Sequence, residues 1–536
     1  MENFLTLMTG GGALLLDPTI WLLVLAGTAY GIVAGGMPGI GATLAFGLVL
    51  PITFTLTPVQ AVALLMSISV GVAYGNSIPA ILIGVPGTPA AILTVLDGYS
   101  LHKRGETGLA VGVGYISAVA GQLISIPIFV LALVPLSGLA YMFLAPEMFG
   151  LYLLGVVAVV SLTGKNVVKG LIAAALGLSI GLVGLDPIQF QPRFDFGFSI
   201  LRNGFDTAAV VIGLLAVSEL FRSTRQVFQW DALVGSFRMK FPSVRTLLPT
   251  IRPVLLGTVL GTGIGAIPGA SGTAAAMIAY QQAKLTSKHP EQFGKGSIEG
   301  VAANESAQNA ANSGELIPTL GLGIPGSGSM VLLLSALTVH GLVPGPQMVA
   351  KSPSLVEAAV GGMLAASILL IVVGWWLARI MLKVVTINRS VVIIVALALV
   401  VVGTFSLSGR VFDVLTALIF GVIGYYMRRY GYSVAAAALA VVLAEGFEKN
   451  LRSGLALYDN NVWTFVSRPM TAALLLLALA FLIFGIRGER RMRRSLRMAE
   501  EERPRGAENA IAAADTNLSN RRATETNSSD NDQSGS

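Results

Sequence analysis

Polar residues are scarce along most of this chain, and the apolar residues come in long runs. Val156–Leu162, Leu171–Val183 and Val391–Val402 are examples. Such runs merge into spans of roughly 20 residues, the length that crosses a bilayer core as a helix. Nothing alternates in the way of membrane-barrel strands, which read as about ten residues with a polar lumen face. The pattern predicts an all-α polytopic membrane protein with about 12 or more hydrophobic segments.

Composition supports this reading. Of 536 residues, 54% are hydrophobic and only 12% are charged, half the share of roughly 25% usual in soluble domains. A soluble enzyme and a nucleic-acid binder are excluded. With no Cys there are no disulfides, thiolate metal sites or Cys nucleophiles. Three His (His102, His289 and His340) leave little for a zinc site. Gly164-Lys165 is followed by Asn166 and lacks the upstream Gly of a P-loop, so no ATP site is read.

Charge placement gives a topology, because cationic loops stay on the cytoplasmic side. Residues 222–252 carry Arg222, Arg225, Arg238, Lys240, Arg245 and Arg252 against Asp231, a net of +5, and are expected inside. Arg487–Arg497 carries six Arg against Glu489, so the C-terminus is also expected inside. The first 19 residues hold Glu2 and Asp17 and no cation, unlike a signal peptide with its basic start, and are expected outside. Lys103–Arg104, Lys165 with Lys169, Arg379 with Lys383 and Arg389, and Arg428–Arg429 then fall inside. Loops 185–205 and 448–469 fall outside, the second fitting less well because it is weakly cationic. Loop 185–205, with mixed charge and several aromatics, suits the membrane interface. Beyond about Arg503 the composition is that of a disordered tail.

The chain also repeats itself. Ile78-Pro-Ala-Ile-Leu-Ile-Gly-Val-Pro-Gly-Thr88 aligns without gaps to Ile317-Pro-Thr-Leu-Gly-Leu-Gly-Ile-Pro-Gly-Ser327. Each copy follows a second Pro-Gly element, Pro38-Gly39-Ile40-Gly41 or Pro268-Gly269-Ala270-Ser271-Gly272. Copy one begins with Ile20–Gly35 entering from outside, and copy two with Pro253–Gly265 leaving the inner loop. The copies therefore enter from opposite faces, which predicts two inverted-topology halves with Pro-Gly-broken half-helices, an arrangement typical of secondary transporters.

Pro-Gly breaks a membrane helix, and the freed backbone groups are tolerated only where they line a protein-walled or watery cavity. Four breaks predict four half-helix ends at a shared cavity. Their N-termini suit anions, and exposed carbonyls and hydroxyls suit Na⁺. Residues 31–96 and 316–339 contain no Asp, Glu, Lys, Arg or His, so a proton relay through these motifs lacks its carrier. The expected coupling ion is Na⁺, on backbone carbonyls near Pro38, Pro86, Pro268 and Pro325; no other cofactor is expected. Candidate binding residues in copy one are Gly39, Thr43, Asn76, Ser77, Gly87 and Thr88. In copy two they are Gly269, Ser271, Gly272, Thr273, Gly326 and Ser327, with Ser329 as a further hydroxyl. Between the elements of copy two, Glu305, Asn309 and Asn312 recur at i, i+4 and i+7, one helix face. Such a stripe must face protein, water or substrate, unless the helix lies outside the bilayer. Glu305 is the rival site, able to carry a proton.

Weaker signals remain. Gly269-Ala-Ser271-Gly resembles the nucleophile motif of rhomboid-type intramembrane proteases, which needs a His beside the serine. Glu147, Glu219 and Glu445 lie at or near apolar segments, and the last two sit near segment ends, where capping or snorkelling is the simpler role. A stand-alone channel or exporter is the main rival to a transporter.

The motifs resemble the large membrane subunit of the tripartite tricarboxylate transporter family. The carrying residues are Gly35-Gly-Met-Pro-Gly-Ile-Gly41, Ile83-Gly-Val-Pro-Gly-Thr88, Gly265-Ala-Ile-Pro-Gly-Ala-Ser-Gly272 and Lys288–Ala303 continuing through Leu322-Gly-Ile-Pro-Gly-Ser327. Glu448-Lys-Asn-Leu-Arg452 and Arg468-Pro469 resemble its C-terminal signature. Asn304, Gln308 and Tyr458-Asp-Asn-Asn461 depart from the family's usual residues. The resemblance implies a non-enzymatic permease subunit of the bacterial inner membrane that imports tricarboxylates or related carboxylates without ATP. It also implies two partners, a periplasmic solute-binding protein and a small four-helix membrane subunit. The expected division is 1–19, a periplasmic or interfacial segment; 20–222, the first membrane repeat; and 223–252, the cationic cytoplasmic loop. The second repeat is expected over 253–486, and a basic, then disordered, cytoplasmic tail over 487–536.

Overall fold

The computed structural model describes residues 2–37, 40–138, 142–163, 166–223, 242–342, 345–376 and 389–501. The chain divides into two units, 1–482 and 483–536. The second begins within the last helix. The polar tail 502–536 and most of the cationic loop, 224–241, lie outside the described residues.

The first half holds α1 (Glu2–Ala13), α2 (Pro18–Gly36), α3 (Ala42–Thr53), α4 (Pro58–Gly75) and α5 (Ser77–Leu82). An irregular helical segment, 89–103, contains a π turn at Val95–Tyr99, and α6 (Thr107–Gly138), α7 (Ala145–Thr163) and α8 (Val167–Gly181) follow. Gly184–Leu185 pairs antiparallel with Pro192–Arg193. A helix over 207–223 carries a π turn at Ile212–Val217. Then come α9 (Ile251–Gly265), α10 (Ser271–Thr286), α11 (Ile298–Leu322), α12 (Gly328–Val339) and α13 (Ser354–Leu369). The last are α14 (Arg389–Ser408), α15 (Val411–Arg429), α16 (Val434–Ala456) and α17 (Pro469–Glu501). Among the described residues, eight helices are long and apolar enough to cross a membrane, and five apolar helices are shorter. The short ones include α3 and α12, each starting just after a Pro-Gly element, so a break leaves a helix too short to span.

Helix starts follow local chemistry. Pro58 opens α4 under a full capping box, Thr57 with Gln60. Asp17 accepts the Thr19 N–H at 2.8 Å ahead of Pro18, and Ser297 accepts the Gly300 N–H at 3.1 Å to open α11. Each satisfies an amide that the helix itself leaves free.

The repeat reaches further than its Pro-Gly elements. Gly27, Gly31 and Gly35 of α2 recur as Gly257, Gly261 and Gly265 of α9, each row ending three residues before a Pro-Gly. Small residues at every fourth position let membrane helices approach closely, and both rows do this. A Cβ on Gly31 would strike the Ile68 carbonyl of α4, and one on Gly261 the Ala307 carbonyl of α11. Gly75 lies on the Ile32 carbonyl, and its aligned partner Gly314 on that of Thr262. The same helix pair is thus built twice.

The copies then exchange partners. Thr43, at the start of α3, lies beside Gly328, at the start of α12, and Gly47 lies beside Leu332. His340 Nε2 is 3.1 Å from the Thr53 carbonyl at the far ends. Hence α3 of copy one runs alongside α12 of copy two in the same direction. The reciprocal pair, α10 with segment 89–103, is joined by Tyr280, which donates to Asp97 at 2.7 Å.

Two of the three cations of 448–469, Arg452 and Arg468, are paired with carboxylates. Residues 448–456 belong to α16 rather than to a loop. Arg452 pairs with Asp186 at 2.5 Å and with Glu448 at 3.0 Å, and Arg193 pairs with Asp186 at 3.2 Å and also with Glu448. Arg468 Nε donates to buried Glu147 at 2.5 Å. Much of the positive charge that fitted poorly outside is therefore met by carboxylates in place.

Candidate functional site

The site is organised by α11. It is 25 residues long, about 38 Å at 1.5 Å per residue, and is covered almost entirely by other helices. A polar helix standing free in water is ruled out by that enclosure; the polar stripe faces protein.

Glu305, fully buried, is the centre of the first cluster. Its carboxylate accepts from Ser77 and Thr94 hydroxyls and from Gln308 Nε2 at 2.7 Å. Asn76 Nδ2 donates to Gln308 Oε1 at 3.3 Å, and Asn304 Nδ2 to Thr94 at 2.7 Å. Asn309 Nδ2 donates to the Glu305 carbonyl at 2.9 Å, while the Oδ1 atoms of Asn304 and Asn309 are buried without a partner among the described residues. One turn on, Asn312 bonds Ser69 at 3.0 Å and Gln122 at 3.3 Å. The structure thus joins Asn76, Ser77, Glu305, Asn309 and Asn312 in one buried column.

The second cluster lies at the Pro-Gly elements of copy two. Ser327 donates to Glu315 Oε2 at 2.6 Å and stands 2.9 Å from Ser329 Oγ. The Gly272 amide also faces the Glu315 carboxylate. Gly269 N–H donates to the Gly326 carbonyl at 3.0 Å, tying the two elements together. Gly326 N–H donates to Thr319 Oγ1 at 3.2 Å. Ser271 begins α10 with φ +58°, and Thr273 stands half-buried beside it. The carbonyls of Pro86, Pro268 and Pro325 accept no backbone N–H among the described residues. Pro38 and Gly39 lie outside the described residues.

Thr43, Gly87, Thr88 and Gly41 of copy one and Gly328 of copy two line a single cavity of about 300 Å³, at the small end of ligand pockets. Leu215, Glu219, Arg222 and Arg428 line it too. Gly87 admits no side chain: a Cβ there would lie 2.8 Å from Asn76 Cα and overlap the Gly35 carbonyl.

Several participants escaped sequence reasoning. Glu315 stands one residue before the uncharged window 316–339, so the window is correct but its conclusion is too broad, since the carboxylate folds back onto Ser327. The alignment held the signal, because Glu315 is the counterpart of Asn76. Thr94 and Gln122 gave none. Asp97, fully buried, accepts the Gly294, Gly296 and Ser297 amides at 2.8–2.9 Å. A carboxylate just past an uncharged stretch was the available hint. No His serves Ser271: His102 is 2.9 Å from Thr107, His340 meets Thr53, and His289 lies 3.5 Å from Glu291.

Fold and site together define an all-α, multi-pass membrane protein in which residues following Pro-Gly elements of both copies line one cavity beside a buried polar column. The tripartite tricarboxylate transporter TctA family matches residues 21–439. The chain belongs to that family, and is thereby the membrane component of a tripartite tricarboxylate transporter, not an enzyme. It is similar to an uncharacterized 52.8 kDa Agrobacterium vitis protein of the TAR-I ttuC' 3' region, 32% identical over 90% of this chain and 96% of the relative. A second A. vitis protein, from the TAR-II ttuC' 3' region, is 31% identical over 44% of this chain and 98% of its own length. No solved structure matches the chain.

Proposed function

We propose that this chain is the permease of a binding-protein-dependent secondary transporter that imports tricarboxylates or related carboxylates across the bacterial inner membrane. A periplasmic binding protein delivers the substrate, and a small four-helix subunit completes the membrane complex. The carrying observation is the cavity in which Gly41, Thr43, Gly87 and Thr88 meet Gly328, so that breaks from both copies face one ligand-sized space. The doubled α2–α4 and α9–α11 pairs and the exchanged α3–α12 contact support two inverted halves around it. Reporter fusions at Asp17 and Arg487 are then expected on opposite faces of the membrane.

The halves divide the chemistry. Break one offers an amide side chain, glycine backbone and a hydroxyl, and takes the anion. Break two offers the Glu315 carboxylate with the Ser327 and Ser329 hydroxyls, and takes Na⁺; oxygen ligands at broken helices suit that ion. Uptake of citrate into proteoliposomes holding both membrane subunits, with and without the binding protein and with Na⁺ or pH gradients imposed separately, tests the reading. It is expected to require the binding protein and Na⁺. Uptake that proceeds without the binding protein would favour a stand-alone channel or exporter.

A further inference from the structure

The cavity's floor is charged in a way that the reading above does not use. Arg428 ends α15, which lies close against the 207–223 helix because Gly424 leaves no room for a side chain: a Cβ there would sit 2.8 Å from the Leu214 carbonyl and from Ser218 Cβ. The π turn at Ile212–Val217 runs directly into Ser218 and Glu219, and π turns inside helices recur at functional sites. Ser218, fully buried, accepts Arg428 Nε at 3.0 Å, which fixes the plane of the guanidinium. Arg428 Nη1 then lies 3.2 Å from Glu219 Oε2, and Arg222 Nη2 2.7 Å from Glu219 Oε1. One carboxylate is held between two guanidinium groups, with a net charge of +1, in the same cavity as Gly87 and Thr88.

We infer that Arg428 and Arg222 form a carboxylate subsite on the release side of the transport path, and that Glu219 is its resident stand-in. One substrate carboxylate takes Glu219's place on Arg428 Nη1, which donates to any carboxylate as it does to Glu219 Oε2. Glu219 swings back as the substrate leaves, so neither guanidinium is left bare at any stage. Both arginines lie on the side that the charge pattern assigns to the cytoplasm, so the exchange ejects substrate inward. The inference rests on the carboxylate-permease reading. Its ligand class is a small di- or tricarboxylate, and Arg428 and Glu219 are binding residues rather than caps.

The test uses purified full-length protein with citrate and tartrate as probes, for equilibrium binding and for counterflow in proteoliposomes of the complete complex. Arg428→Gln is expected to weaken binding about ten-fold or more, the worth of one charge-assisted hydrogen bond. Arg428→Lys, which keeps the charge but loses the Nε bond to Ser218 that aims it, should recover part of it. Glu219→Gln should do the opposite, tightening binding several-fold while slowing counterflow, so that KM and kcat fall together. A merely structural Glu219 would lower yield or kcat and leave affinity unmoved. The double variant should bind as weakly as Arg428→Gln alone. Unchanged affinity in folded Arg428→Gln and Glu219→Gln proteins, with the wild type binding and transporting, overturns the subsite and spares the permease reading. A wild-type complex that neither binds nor carries any carboxylate overturns both.

Discussion

The two Pro-Gly breaks share a sequence pattern and differ in what they hold. In copy one, Asn76 caps the break; its carbonyl accepts the Gly87 N–H at 3.3 Å, and Gly87 and Thr88 open onto the cavity. In copy two the aligned residue is Glu315, and Ser327 gives it a hydroxyl hydrogen bond instead of facing open space. The helices before the breaks diverge in the same sense. Met66, Val70 and Ala73 of α4 correspond to Glu305, Asn309 and Asn312 of α11. Duplication supplied a backbone frame that must be kept in both copies, because glycine carbonyl contacts leave no slack. Side chains aimed inward differ, so that one break is neutral and the other holds a carboxylate.

The largest effect is expected where the copies are the same. Gly87→Val and Gly326→Val should each abolish uptake while leaving membrane insertion intact. A Cβ on Gly326 would lie 2.7 Å from Glu315 Cα, and both collisions are with backbone. Gly263→Ala, at a helical position with open space, is the control and should transport normally. Unchanged uptake by both valine variants would mean the breaks are only kinks.

Next comes the position where the copies differ. Glu315→Gln should reduce Na⁺-driven uptake about ten-fold or more, as loss of one charged ligand would. Glu305→Gln should keep its Na⁺ dependence, because the carboxylate of Glu305 is already occupied by Ser77, Thr94 and Gln308. Full activity under a pH gradient without Na⁺, lost in Glu305→Gln, would move the coupling ion from break two to the polar column.

A smaller effect concerns the reciprocal contact between α10 and segment 89–103. Asp97→Ala strands the Gly294, Gly296 and Ser297 amides and the Tyr280 hydroxyl, and should cost about 3 kcal/mol. A thermal melt in detergent reads this directly; an unchanged Tm would show that the clamp is not what holds the 288–297 loop.

The smallest effect lies outside both breaks. The Gln189 amide, first, and then Arg452 hold the Asp186 carboxyl well below the usual carboxylate range. A depressed value means the contribution is complete above the ordinary carboxylate range and is lost as pH falls through the lowered value. Hydrogen exchange of 187–205 should therefore be faster in Arg452→Gln than in wild type at pH 7. The difference should vanish under strongly acid conditions, and a difference that persists there would assign the loop's order to its backbone alone.

The sequence by itself determined the environment, the duplicated breaks and the polar face of α11, because each depends on composition or on spacing along one strand of chain. A run of 20 apolar residues has one stable place, and Pro-Gly interrupts a helix wherever it stands. The glycine rows of α2 and α9 were equally legible at every fourth position, but only the packed pair shows that they meet carbonyls. Which polar groups find each other was decided by tertiary structure. Ser77 reaches Glu305 across 228 positions, and Arg428 reaches Ser218 across 210. No local pattern encodes such pairs, since they exist only once α5 lies against α11 and α15 packs on the 207–223 helix. Glu315 marks the boundary between the two kinds of knowledge. Its alignment with Asn76 was in the sequence, but its role depends on a turn that carries Ser327 back over it.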